Sequence, residues 1–146
     1  MTRPRLADQK HPYADLIDLV VDEQRAGFSR CVLTVGEKHL NPHHVVHGAV
    51  LYAMADTGMG AALYPTLDEG EICATIQITV NYFKPVYEGQ VVCVTGVINR
   101  GKSVANLESR LMVGDTLVAS ANGNYSIFTP TKQPASIWQA SCSDGR

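Results

Sequence analysis

From the amino terminus, apolar and polar residues first follow a helical rhythm. Residues 13–26 (YADLIDLVVDEQRA) place Leu16, Leu19 and Val20 at i, i+3 and i+4 with Asp15, Asp18 and Asp22 between them, and Gly27 follows as a stop. This spacing predicts a short amphipathic helix. The next stretch, SRCVLTVGEKH, sets Cys31, Leu33 and Val35 against Arg30, Thr34 and Gly36. That alternation predicts a strand, broken at Asn41-Pro42. Residues 45–64 (VVHGAVLYAMADTGMGAALY) form a long apolar run read as a buried helix over 48–64. Beyond Glu71 the chain reads as strands: ATIQITVNYFKP, QVVCVTGVINRG, SVANLESRLMVGD and TLVASANGNYSIFTP. The breaks at Pro85 to Gly89, Arg100-Gly101-Lys102 and Gly114-Asp115 are short enough for hairpins, which predicts an antiparallel meander. After Phe128 the sequence turns polar, so residues 131–146, like 1–12, are expected to be loose tails of a single domain spanning 1–146.

Lengths supply the architecture. A helix over 48–64 is about 25 Å long, and a strand of eight residues is about 27 Å. A helix that is apolar nearly all round has no solvent face, so it needs a curved sheet around it and something else closing the far side. The expectation is an α+β fold with an antiparallel sheet wrapped around one long central helix, and leftover apolar surface that makes an oligomer. The same run is about as long as a membrane span, but Asp56 near its middle costs ~2.5 to 3.5 kcal/mol on insertion scales, which argues against a membrane.

Composition narrows the partners. The chain has 146 residues with 12 Lys+Arg and 14 Asp+Glu, a net charge of −2, and so no basic excess for a phosphate backbone; nucleic acid is not expected. With 45% hydrophobic and 18% charged residues it can bury a core. Cys31, Cys73, Cys93 and Cys142 form no CxxC pair, and no secretory-type apolar stretch opens the sequence, so free thiols in a cytoplasmic setting are expected. Cys73 and Cys93, within strand-like runs, read as buried structural thiols.

Two features carry chemistry. Asp56 is the only acidic residue between Gly48 and Leu67, and its helical neighbours Tyr52, Ala53, Met59 and Gly60 include no cation. A carboxylate on an apolar helix asks for hydroxyl partners or a cavity, and Thr75 or Tyr52 are the expected donors. The second feature is the helix start, His47-Gly48-Ala49. Its first N–H groups have no intrahelical acceptor and present a positive dipole end, and Gly48 removes the Cβ that would hold a ligand away. Gly48 and Asp56 are eight residues apart, about 12 Å along the axis. That is too far for both to act on one carbonyl within one chain. If they share a substrate, a second copy must bring its helix antiparallel across a two-fold axis.

The stretch NPHHVVHGAVLYAMAD, residues 41–56, resembles the signature of hotdog-fold acyl-CoA thioesterases of the phenylacetate-pathway (PaaI-like) group. Asn41 lies six residues before His47-Gly48, and Asp56 nine after that His. The likeness runs from about residue 30 to 129 and includes the order of elements. It implies that Asp56 is general base or nucleophile and that the Gly48 N–H polarises the thioester carbonyl across a dimer interface. It also implies that Asn41 and His47 hold the loop or the carbonyl and that Thr75 orients the attacking water. Ala49 and Tyr52 would line the substrate site. The turn Arg100-Gly101-Lys102-Ser103 resembles the family's basic turn near the nucleotide end of coenzyme A. No cofactor or metal is implied; the partners are acyl-CoA and further copies of the chain, as a dimer or a dimer of dimers. Two departures stand out: Ala49 replaces the second glycine of His-Gly-Gly, and His44 stands where a glycine is common.

Other readings have less support. His39, His43, His44 and His47 lack zinc-site spacing. No serine sits in a G-x-S-x-G elbow. Hotdog dehydratases use a Glu along the central helix, and none occurs between Gly48 and Leu67. A non-catalytic acyl-CoA-binding protein on the same fold remains the main alternative, because binding does not need Asp56.

Overall fold

The computed structural model describes residues 10–131. Its elements are α1 (Pro12–Leu16), β1 (Val20–Arg25), β2 (Phe28–Thr34), α2 (Gly48–Leu63), β3 (Ile72–Tyr82), β4 (Gln90–Arg100), β5 (Val104–Val113) and β6 (Thr116–Phe128). All strand pairs are antiparallel, and one six-stranded sheet runs β1-β2-β4-β5-β6-β3 around α2. This is the α+β hotdog architecture. Among the described residues no helix is long and apolar enough to cross a membrane.

Helix α2 forms where the sequence is richest in Ala, Leu and Met, and it buries Leu51, Met54, Met59, Ala62 and Leu63 against the sheet. At Gly58 the helix approaches the sheet so closely that a Cβ would stand 2.7 Å from Thr95 Oγ1, and Ser29 Oγ donates to the Gly58 carbonyl at 2.6 Å. A Tyr64–Thr66 3-10 turn containing Pro65 ends the helix. The sheet does not cover the helix all round. Ala49, Tyr52, Asp56 and Gly60 form a stripe that is open or half-open, recurring every three to four residues down one side. The far side of α2 is therefore left uncovered by the described residues.

Three elements depart from the sequence pattern. The helix expected over 13–26 is a short α1 followed by strand β1, split at Asp18, which adopts φ 56. Pairing of β1 with β2 outweighs the local helical rhythm of a segment only a few turns long. The strand expected through residue 39 ends at Thr34, and Glu37–His39 make a 3-10 turn. The meander holds for β4-β5-β6, but β3 pairs with β6 at the sheet edge rather than with β4. The β3–β4 connection is not a hairpin because it crosses at the amino end of α2, with Val86 buried and its carbonyl accepting from Val46 N–H at 2.8 Å.

The expected loose tails lie mostly outside the described residues. Where the amino-terminal one is described it is ordered by contacts: His11 caps α1, its Nδ1 accepting from Ala14 N–H at 3.1 Å.

Candidate active site

Asp56 lies past the midpoint of α2 on the open stripe. Its Oδ1 accepts two hydroxyl hydrogen bonds, from Thr75 Oγ1 at 2.8 Å and from the Tyr125 phenol at 2.5 Å. Thr75 on β3 and Tyr125 on β6 are direct register partners, so both side chains project from one face of the sheet toward the helix. A bulge makes this possible. The register slips between Thr75 and Gln77, so Thr75 and Ile78 face the same side although their numbers differ in parity. No described residue hydrogen-bonds Oδ2.

Burial, and then the hydrogen bond to Asp56, push the Tyr125 hydroxyl far above the usual tyrosine range, so it stays a donor. A cleft of about 340 Å³ opens beside the carboxylate, lined also by Tyr13, Ala53, Gly60, Tyr64 and Cys73. Thr75 is thus brought to the acid as anticipated. Tyr52 is not: the second hydroxyl comes from Tyr125, a residue that sequence reasoning missed. The available signal was its place in the inward register of β6 with Ala119, Ala121 and Gly123, where a buried phenol needs a partner.

The other end of the stripe is the helix start. His47 is the N-cap: its Nδ1 accepts from Ala49 N–H at 2.9 Å, and its own N–H donates to His39 O at 2.8 Å. Asn41 Oδ1 accepts from the His43 and Val45 amides at 2.9 and 3.3 Å and holds the loop. His44 adopts φ 60, the left-handed conformation that a glycine enters without strain. The Ala49 amide is already engaged by His47. The Gly48 N–H has no acceptor among the described residues. A Cβ at Gly48 would stand 3.1 Å from the Tyr82 ring, whose hydroxyl donates to Gly48 O at 2.7 Å. A groove of about 350 Å³ lies here, walled by Val45, Leu51, Tyr82 and Phe83.

The turn Arg100–Ser103 belongs to the same end of the sheet as Asp56. Register places Thr75, Tyr125, Ala105 and Arg100 in one row across β3, β6, β5 and β4. Arg100 is paired within the chain rather than open to a ligand. Its guanidinium donates to Glu71 Oε1 at 2.8 Å and to the carbonyls of Gly101 and Thr66 at 2.7 and 3.4 Å. It ties the turn to the carboxyl end of the helix, where a cation is favoured. Gly101 is required there, since a Cβ would lie 2.5 Å from Val104 O. Lys102 and Ser103 are exposed.

Among the described residues the remaining histidines and thiols are dispersed, and Cys142 lies outside them. His39 is buried, with Nδ1 accepting from Gly36 N–H at 2.8 Å and Nε2 within 2.7 Å of Ile17 O, so its proton sits on Nε2. His43 and His44 face solvent. Burial pushes the Cys93 thiol up to about 11 and Cys31 higher still, which makes both poor nucleophiles. Cys73 is half-buried at the wall of the Asp56 cleft rather than sealed in the core.

Comparison with known proteins places these features in context. The family model described as "Thioesterase superfamily" matches residues 43–120. A putative esterase of Archaeoglobus fulgidus is 27% identical over 123 residues, 80% of this chain and 78% of its own length. Among solved structures, a conserved protein of Pseudomonas aeruginosa superposes with a TM-score of 0.79 at 25% identity, covering 86% of this chain and 100% of that one. The phenylacetic acid degradation protein PaaI of Thermus thermophilus, solved as a mutant, gives 0.74 at 22% identity, covering 80% and 98%.

Proposed function

This chain belongs to the thioesterase superfamily, and from that premise we propose that it hydrolyses acyl- or aryl-CoA thioesters to a free acid and coenzyme A. The observation that carries the reading is the Asp56 carboxylate, held at Oδ1 by two hydroxyls and open at Oδ2 beside a cleft. A base must be aimed, and two donors converging on one oxygen fix the carboxylate's orientation. Asp56 takes a proton from water as the water oxygen bonds to the thioester carbon. The C–S bond then breaks, and the sulfur leaves as thiol with that proton. In the alternative order the carboxylate itself attacks and water releases the acyl group.

The developing oxyanion needs a donor, and the Gly48 N–H is the amide at the helix start without an acceptor. Asp56 and Gly48 of one chain are about 12 Å apart along the axis, so the site pairs Asp56 of one protomer with Gly48 of the partner subunit. Three features support this dimer: the open stripe of α2 that includes Tyr52, the exposed Tyr82, and β3, an edge strand of eleven residues without a charge. Long uncharged edges are otherwise avoided in single-chain proteins. Of the two cations in the β4–β5 turn, Lys102 is the one exposed to coenzyme A phosphates, and Arg100 shapes the turn that presents it.

Thiol release from aryl-, short- and long-chain acyl-CoAs, on the wild type and Asp56→Asn, tests the reading. Turnover of at least one class, lost in Asp56→Asn while ligand binding persists, is the expected result. Saturable acyl-CoA binding without thiol release from any of them would make the protein a binder. Single turnover in heavy-oxygen water separates the two orders: label in Asp56 marks direct attack, and label confined to the product acid marks activated water.

A further inference from the structure

We propose that Tyr125 is a positioning residue that keeps Asp56 Oδ2 turned toward the reacting atoms and follows the charge on Asp56 by moving its one hydroxyl proton between two acceptors. The inference rests on the thioesterase reading of Asp56 and extends it to a residue outside the motif of residues 41–56. The phenol oxygen lies 2.5 Å from Asp56 Oδ1 and 2.8 Å from the Asp56 backbone carbonyl. It has one proton for two acceptors. While the carboxylate is charged, the charge-assisted bond to Oδ1 is the stronger. Once Asp56 has taken a proton from water, or has become acylated, Oδ1 is a weaker acceptor and the carbonyl is already in reach. The phenol is therefore never left unpaired, although it is almost fully buried. Thr75 reaches the same oxygen from an exposed edge strand and does not have the second acceptor.

The two donors also select the oxygen. Both converge on Oδ1, which leaves Oδ2 as the carboxylate oxygen with open lone pairs. The titratable groups among the described residues that share the cleft are Tyr125 on β6, Cys73 on β3, Tyr64 at the end of α2, and His11 and Tyr13 from the amino-terminal segment; no Lys or Arg among the described residues lines it. The hydrogen-bond donors that reach the carboxylate among the described residues are therefore hydroxyls.

The test is the pH dependence of kcat in Tyr125→Phe, which keeps the ring and removes the hydroxyl. Losing a donor to the charged form disfavours that form. The acid limb of the profile is expected to move up, with kcat down about 10-fold and KM little changed. The complementary measurement replaces Tyr125 with 3-fluorotyrosine, a stronger donor of nearly the same size, which is expected to move the limb down and guards against a Phe variant that folds poorly. Limbs that stay with the wild type in both proteins would overturn the proposal and leave Tyr125 a packing residue. That result is distinct from failure of the parent reading, which would appear as full turnover in Asp56→Asn.

Discussion

The two ends of the open stripe on α2 are built in opposite ways. At Asp56 the chain completes its own wiring: a helix carboxylate, an edge-strand threonine and a buried tyrosine meet at one oxygen. At Gly48 the chain stops short. His47 engages the Ala49 amide and Tyr82 engages the Gly48 carbonyl, yet the Gly48 N–H has no acceptor among the described residues, and Gly48 lines a groove. A half-buried charge must be held before any ligand arrives, because an unpaired carboxylate is costly in an apolar setting. An amide donor at a helix start tolerates waiting, since water or a ligand can take it. One end is thus preorganised by its own protomer, and the other is left for what docks there.

The sharpest way to break this comparison is Asp56→Asn, expected to lower turnover on the order of 10³-fold with binding retained by calorimetry. Gly48→Ala comes next. The added Cβ meets the Tyr82 ring at 3.1 Å, and displacing the amide is expected to reduce kcat roughly 10- to 100-fold in the thiol-release assay. Mixing these two variants under conditions of chain exchange sharpens the point. Half of random dimers are mixed, and each mixed dimer holds one intact site of its two, so activity is expected to recover to about one quarter of wild type. No recovery above the sum of the separate variants would mean that the two ends do not share a site. Lys102→Ala should raise KM for acyl-CoA a few-fold, on the order of 1 kcal/mol for an exposed ion contact, and leave hydrolysis of an acyl-pantetheine unchanged. The smallest effect is His44→Gly, which relieves the left-handed strain at the Gly48 end and should stabilise the fold by about 1 kcal/mol, read as a higher Tm.

Several of these residues were legible before any coordinates. Asp56 stood out because nothing near it on an apolar helix explains a charge, and Gly48 because a buried helix start exposes donors. The buried helix over 48–63 and the β4-β5-β6 hairpins followed from period and turn chemistry. Tyr125 was hidden because its link to Asp56 spans 69 positions and depends on strand register. The partner of Arg100 was hidden because a turn read alone shows none. Glu71 lies 29 positions away and reaches it only when β3 leaves the helix end. The alternation rule misplaces Thr75 for a related reason: a bulge at Ile76 reverses which parity faces the helix.

By itself the sequence determined what is local: which segments are helical or extended, where they stop, and that a carboxylate and a glycine sit two turns apart on one rod. Those follow from side-chain period, caps and backbone sterics, which act over a few residues. Tertiary structure alone decided the strand order, which puts β3 at the edge beside β6, and with it the two hydroxyls on Asp56 Oδ1 and the pairing of Arg100 with Glu71. Register and burial are properties of the assembled sheet, where a one-residue slip turns every side chain to the opposite face.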